Sequence, residues 1–305
     1  NLEHESNEKL LALDPTTLQL TDRWILSRLA RVNRDTAKRY ANYGLGEAAK
    51  GLYEFAWNDF CDWYLELIKS RLNPGDDPTE MELVDQSTAR TVLVTVLSDL
   101  FVLLHPLMPH LTEELWHALT GASSKELLAL QAWPASELHY LDDGLETSFT
   151  ELFASIRLVR NLRAVAGLKP SQEVPVCFIT AKKELASTLK RAKAEIKLLT
   201  RANELEVLDP QEAELKPCVK ALAGVSGELE VLLPIEGLVD LDDLRARLEK
   251  DLSKADKEIL NLSNRLANES FIEKAPPDVV SECRAKLVEA RAQANLARRR
   301  LTDLV

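Results

Sequence analysis

Apolar positions recur with a helical period along most of the chain. Trp24, Leu26, Leu29, Val32 and Ala37 mark one face of a first helix until Asn42-Tyr-Gly-Leu-Gly46 breaks the pattern, and Thr21 or Asp22 is the expected N-cap. A second arm is expected from about Leu45 to Leu72, stopped by Asn73-Pro-Gly-Asp-Asp-Pro78, so that 21–73 form a helical hairpin. Within this arm, spacing at three and four residues sets Phe60, Trp63, Tyr64 and Leu67 along one stripe, with Asp59, Asp62 and Glu66 beside it. A third helix covers about Met81 to Leu104. Pro106 and Pro109 interrupt it before Leu111 to Leu119 resumes. Long helices with short connections predict an antiparallel bundle.

After a loop at 120–142 and a further helix at about 145–167, the texture changes. Val174-Pro-Val-Cys-Phe-Ile-Thr180 reads as a strand, 185–199 as a helix, Leu205-Glu-Val-Leu208 as a short strand and Glu228-Leu-Glu-Val-Leu-Leu-Pro234 as another. That order predicts a small α/β unit with a mixed sheet. The clearest periodicity comes last: Val280, Cys283, Leu287, Ala290, Ala294, Ala297, Leu301 and Leu304 alternate steps of three and four, as do Leu252, Ala255, Ile259, Leu262 and Leu266 upstream. Pro276 and Pro277 force a reversal between them and fit the start of the second arm. Arms of roughly 30 residues at about 1.5 Å per residue predict a hairpin projecting roughly 45 Å. The expected class is therefore mainly α: a helical bundle over 1–140, a small α/β linking domain over 141–237 and an antiparallel coiled-coil hairpin over 238–305.

Length and composition suit a folded chain of two or three domains: 305 residues, 46% hydrophobic and 29% charged. No apolar run is read as approaching the roughly 20 residues of a membrane span, so no membrane is expected. The chain opens on Asn1 with neither methionine nor signal region, and reads as a piece of a longer protein. Cys61, Cys177, Cys218 and Cys283 lie far apart without Cys-x-x-Cys spacing, which predicts reduced cytoplasmic thiols and no zinc site. The net charge of −11 is unevenly spread: 1–150 carry 12 basic and 24 acidic side chains, 151–210 carry 11 and 7, and 245–305 carry 13 and 10. An acidic bundle joined to mildly basic elements suits contact with a polyanion at chosen places.

Candidate catalytic chemistry is sparse. Gly44-x-Gly46-x4-Gly51 has no preceding strand and no Lys-Ser/Thr ending, so it reads as a turn rather than a phosphate loop. His105, His110 and His117 do not have the spacing of a helical zinc pair, and packing or capping is expected of them. Asp59 and Asp62 are expected to be solvated or salt-bridged. No catalytic residue and no metal ligand is assigned.

Two segments carry a family likeness. Phe60-Cys-Asp-Trp-Tyr-Leu-Glu-Leu-Ile-Lys69 and Leu103-Leu-His-Pro-Leu-Met-Pro-His-Leu-Thr-Glu-Glu-Leu-Trp116 resemble the anticodon-binding helical domain of class I aminoacyl-tRNA synthetases, in the valine, isoleucine and leucine branch. The hairpin, with its tip Phe271-Ile-Glu-Lys-Ala-Pro-Pro-Asp-Val-Val280, is similar to the tRNA-binding arm of the valine-specific members, where isoleucine enzymes carry a zinc module and leucine enzymes a compact α/β domain. The resemblance implies the C-terminal, non-catalytic part of a valine–tRNA ligase. It implies valine-specific tRNA as partner, ATP and magnesium as needs of the intact enzyme only, and no cofactor in this part; the His-x-Gly-His and Lys-Met-Ser-Lys-Ser type motifs are absent from the sequence.

Anticodon bases are read in single-stranded loops by aromatic stacking and guanidinium contacts. Arg23, Arg31, Arg34 and Tyr43, on the first helix and its turn, are the expected anticodon contacts. Arg157, Arg160 and Arg163 recur every three residues and are expected to form a cationic ridge for phosphates. Arg265, Phe271, Lys274, Arg284 and Lys286, near the hairpin tip, are expected to hold the tRNA corner. The hairpin seam is consumed within one chain, with small residues at 290, 294 and 297, so a monomer is expected. The alternatives are another synthetase of the same branch, or a coiled-coil scaffold that binds protein partners.

Overall fold

The computed structural model describes residues 17–134, 138–215, 220–268, 271 and 276–303. They divide into two compact units, one running to Thr150 and the other from Glu151.

The first unit is a helical bundle of α1 (Leu20–Ala41), α2 (Leu45–Glu54), a π-helical segment (Phe55–Tyr64), α3 (Leu65–Leu72), α4 (Glu80–Leu104) and α5 (Pro109–Thr120). It also takes in the first turns of α6 (Asp143–Ala166). The cap of α1 is Gln19 rather than Thr21 or Asp22; Asp22 sits at the third helical position and accepts from the Gln19 N–H at 3.0 Å. Thr79 and Glu82 make the reciprocal capping box at the head of α4. The arm expected as one helix over 45–72 is continuous but widens in its most aromatic part. Where bonding shifts to i→i+5, residues five apart fall in line, and Phe55 and Phe60 are both buried together with Trp63 and Tyr64. The stripe Phe60, Trp63, Tyr64, Leu67 is buried as expected. The Arg39 guanidinium of α1 lies against Gly51 of α2, where a Cβ would meet Nη1 at 2.2 Å.

By length and composition alone α4 could cross a membrane, against the expectation from the sequence. Its Ala89, Val92, Leu93, Val96, Leu100 and Leu103 are buried in the bundle, as in a core helix.

The second unit carries the rest of α6, then β1 (Val174–Thr180), α7 (Lys183–Arg191), α8 (Lys193–Thr200), β2 (Ala202–Leu208), α9 (Pro210–Leu215), β3 (Ala221–Ser226) and β4 (Leu229–Pro234). The sheet order is β2-β1-β4-β3, with β1 and β2 parallel and the other pairs antiparallel, so the sheet is mixed as expected. Strand β3 is an addition to the expected order. Its Ala221-Leu-Ala-Gly-Val-Ser sequence is rich in small residues of low strand propensity, and it forms because β4 supplies the pairing. Gly224 is required by packing: a Cβ there would lie 2.9 Å from Leu158 Cδ1 and 3.3 Å from Leu162, both on α6.

The hairpin pairs α10 (Leu241–Ala267) with α11 (Pro277–Asp303), 27 residues each, or about 40 Å per arm. Ala255, Val280, Cys283, Ala290, Ala294 and Ala297 form the buried seam that the heptads predict; Leu304 lies outside the described residues. The hairpin and the sheet fall in the same compact unit, and α11 packs against β3.

Candidate nucleic-acid interface

Part of the bundle's charge is turned inward. The Asp22 side chain, fully buried, accepts from Tyr64 Oη at 3.0 Å and from both Arg71 Nη atoms at 2.8 Å, while Arg71 also reaches Asp85. Burial and the Asp22 carboxylate push the Tyr64 phenol well above its ordinary range. A second cluster ties α6 to α1: Glu146 accepts from Ser27 Oγ at 2.5 Å, Arg28 Nη1 at 2.9 Å and Arg31 Nε at 2.9 Å. Burial pushes the Glu146 carboxyl up, but hydrogen bonds from Ser27, Arg31 and Arg28 outweigh it and hold it below the usual range. Arg28 also donates to Asp59 at 2.8 Å, which accounts for one of the two carboxylates expected to be paired or solvated.

These clusters settle where the expected anticodon residues stand. Arg31 is held between Glu146 and Asp143, with 28% of its side chain exposed, so its fork is already occupied. Arg23 is half exposed and touches Asp142 at 3.3 Å; Arg34 donates to its neighbour Asp35 at 3.0 Å. Tyr43 is different: it is 91% exposed and sits in the left-handed region at φ 57°, between α1 and α2. A tyrosine there is strained by about 1 kcal/mol or more, and its ring has no place in the core. Tyr40, by contrast, is structural: its hydroxyl donates to Leu103 O at 3.0 Å and its ring meets Trp133 edge-on.

Sequence reasoning passed over one further aromatic feature. Tyr53 and Trp57, a turn apart across the junction of α2 and the π segment, stack with rings 3° from parallel and centroids 6.3 Å apart, 64% and 57% exposed. Their i,i+4 spacing was the available signal, hidden by the apolar density around it. Together with Tyr43 the bundle thus displays rings that could stack on unpaired bases.

In the second unit the three arginines at steps of three do not share one ridge. Such steps fall short of a turn by about 60° each, and Arg157 and Arg160 are exposed whereas Arg163 is buried. Arg160 Nε donates to Leu199 O at 3.1 Å. At the tip the Arg265 guanidinium lies 4.5 Å from the Phe271 ring centroid, a cation–π contact. Arg284 is exposed, and Lys286 pairs with Glu282 at 2.7 Å. Lys274 lies outside the described residues.

Two of the three candidate histidines make local contacts: His105 Nδ1 lies 2.9 Å from Thr112 Oγ1, and His117 Nδ1 3.1 Å from Ala122 O. Among the described residues no group of three or more His, Cys, Asp or Glu is arranged to hold a metal.

Comparison with known proteins places the chain in a family. Residues 22–178 match the family model of the anticodon-binding domain of tRNA ligase, and 240–305 match that of the valyl tRNA synthetase tRNA binding arm. The chain is 64% identical over 304 residues to a valine–tRNA ligase of Parasynechococcus marenigrum (strain WH8102), covering 100% of this chain and 33% of that protein. It is 62% identical over 304 residues to that of Prochlorococcus marinus (strain NATL2A), with 100% of this chain and 33% of the relative covered. Over 307 residues it is 42% identical to that of Synechocystis sp. (strain ATCC 27184 / PCC 6803 / Kazusa), again 100% of this chain and 33% of the relative. The chain thus spans about a third of the length of these curated relatives. With a match over more than half its length, it belongs to the family of tRNA-ligase anticodon-binding domains, followed here by a segment of the valyl-tRNA-synthetase arm family.

Proposed function

We propose that this chain is the tRNA-binding part of a valine–tRNA ligase, in which the bundle reads the anticodon and the hairpin holds the corner of the tRNA. The observation that carries the reading is the order of the two matched segments, with an exposed ring at Tyr43 on the first and an Arg265–Phe271 cation–π pair at the tip of the second. Bases stack on the bundle's rings and give specificity; the tip meets backbone and gives affinity without reading sequence.

The intact protein would join valine to tRNA with ATP and magnesium. The described residues fit neither: Gly44 to Gly51 form a turn and the start of α2, and the space beside Gly51 is filled by Arg39. Adenylate chemistry is accordingly assigned to the two thirds of the relatives that this chain does not match, and this chain alone should show no valine-dependent pyrophosphate exchange. Cys61, Cys177 and Cys283 are free thiols, which supports a reducing, cytoplasmic setting. A seam largely filled within one hairpin supports a monomer.

The test is binding of valine-specific tRNA and of the same tRNA with altered anticodons, by anisotropy over a salt series. Affinity should fall steeply with salt and with anticodon change. Phe271→Ala, which frees Arg265 from its ring, should weaken all these tRNAs equally. Binding that is independent of salt would favour a protein-docking scaffold instead.

A further inference from the structure

Residues 179–239 lie in neither matched segment, yet they open on a run of cations. From Lys182 to Lys197 there are six basic and two acidic side chains, in a chain whose net charge is −11. The run folds as α7 and α8, joined at Ala192. Leu185 and Leu189 of α7 and Ile196 and Thr200 of α8 are buried, and both helices pack on β2, so their outer faces are fixed to the sheet. Lys182 pairs with Glu151 of α6. Lys183, Lys190, Arg191 and Lys193 are exposed and Lys197 is half-buried, and none of these five side chains takes a hydrogen bond or ion pair among the described residues.

Lys193 and Lys197 stand one turn apart, with Cβ atoms about 5–6 Å from each other, and like charges at that spacing repel. Glu195 does not relieve them: two positions from each, it lies about 160° round the helix from both. Arg160 of α6 brings another cation to the end of α8, where its Nε donates to Leu199 O at 3.1 Å while the side chain stays exposed. Lys190 and Arg191 continue the charge across the junction. Repulsion left standing on a rigid face is what an anionic partner removes. Neither helix carries an aromatic residue, and Leu198, 45% exposed, is their one exposed large apolar side chain. A protein interface needs an apolar, aromatic centre poor in lysine, and a membrane-surface helix needs several apolar side chains beside its cations. Unpaired bases would find no ring to stack on. A row of phosphates fits.

We propose that the outer face of α7 and α8, led by Lys190, Arg191, Lys193 and Lys197, is a docking surface for the phosphodiester backbone of tRNA, so that the α/β unit makes a contact of its own. This rests on the tRNA-binding reading above. Lysine suits the use: an ammonium on a flexible stem meets phosphate as a point charge, without a planar partner. The contact carries no sequence information and adds affinity by releasing counterions from the RNA.

The experiment uses this 305-residue chain. Lys193→Gln with Lys197→Gln removes both charges and keeps helix propensity, so the melting temperature should be unchanged or higher. Affinity for tRNA should fall about five- to tenfold at physiological salt, and the slope of log affinity against log salt should shrink by about 1.4–1.8, two phosphates' worth. The loss should be equal for valine-specific tRNA and for tRNAs with altered anticodons. Lys190→Gln with Arg191→Gln should act in the same direction, and Lys193→Glu with Lys197→Glu should weaken binding further. If Tyr43→Ala or Phe271→Ala weakens binding but the glutamine variants keep wild-type affinity and slope, this inference is overturned and the broader reading stands. The wild type may be set against vesicles of equimolar phosphatidylcholine and phosphatidylserine and against poly-L-glutamate. Capture of either by the wild type and not by the glutamine variants, with tRNA binding unchanged, would make the face a membrane or acidic-protein surface and overturn the RNA assignment. Failure of the wild-type chain to bind tRNA would overturn both readings.

Discussion

The bundle and the coiled-coil hairpin use the same charged residues to opposite ends. In the bundle, arginines and carboxylates are drawn inside and hold helices together: Asp22 is wholly buried, and Glu146 is 11% exposed between Arg28 and Arg31. In the hairpin, the seam is alanine, valine and cysteine, and the ion pairs, Lys254–Asp251, Lys286–Glu282 and Arg298–Asp256, lie outside on half-exposed side chains. Arginine in the bundle is therefore mostly scaffold, and its free surface chemistry falls to aromatic rings. In the hairpin most charges lie at the surface, with Arg300, 8% exposed, the exception. Charge count alone does not separate these cases; burial of the opposing carboxylate does.

The comparison breaks most visibly at Asp22. Asp22→Ala leaves the buried Tyr64 hydroxyl without its acceptor and takes from Arg71 one of its two carboxylates, with Asp85 remaining, and should cost about 3 kcal/mol, read by denaturant unfolding. A loss below about 1 kcal/mol would mean that the bundle's inner charges are as dispensable as those of the hairpin. Removing Arg71 as well, by Asp22→Asn with Arg71→Met, should recover part of the loss, because the guanidinium donors that faced Asp22 leave with it.

Glu146 comes next. Glu146→Gln should cost about 2 kcal/mol, since it keeps a hydrogen-bond acceptor but loses the charge that Arg28 and Arg31 face. Its folded pKa lies below the unfolded value, so its contribution is complete above the ordinary carboxylate range and is lost as pH falls through the folded pKa. Acid unfolding of the wild type should therefore steepen below that range, and the variant's profile should be flatter there. A parallel profile in both proteins would remove Glu146 from the account.

Tyr43 sharpens the comparison from the functional side. Tyr43→Gly should stabilise the bundle by up to about 1 kcal/mol, by relieving a left-handed tyrosine, and should weaken binding of unpaired anticodon bases by about 1–3 kcal/mol. Stability and binding moving together would make Tyr43 a packing residue. Trp57→Ala is the companion: loss of binding there would extend the reading surface along α2, and its absence would confine it to the turn.

The sequence disclosed the elements well and the roles of single charges poorly. Helical and heptad periods located α1, α4, α5 and both hairpin arms within a few residues, because each buries a stripe that repeats. Strand β3 was missed because its small residues pack under α6 and carry no strand signature of their own. Arg31 and Arg163 looked like free cations because their partners are distant in sequence: Glu146 lies 115 residues from Arg31, and the backbone oxygens that hold Arg163 belong to a loop beyond its helix. The exposure of Tyr43 has a sequence signal, since the residue sits in a break beside Gly44, where a large ring has nowhere to pack.

The smallest effect concerns the hairpin's outer pairs. Arg298 Nη2 reaches Asp256 Oδ1 at 2.7 Å between the two arms, with side chains 53% and 45% exposed. Geometry this good would matter in the interior, but here both groups keep most of their hydration, and fixing two side chains offsets the attraction. Arg298→Ala should thus change stability by no more than about 0.5 kcal/mol, and roughly half-molar salt should erase the difference between variant and wild type. The seam beneath should respond in the opposite way: Ala294→Leu overfills a position that is fully buried, and should cost about 1–3 kcal/mol regardless of salt. If Arg298→Ala proved as damaging as Ala294→Leu, the hairpin would be held by its charges as the bundle is, and those charges would no longer be free for RNA.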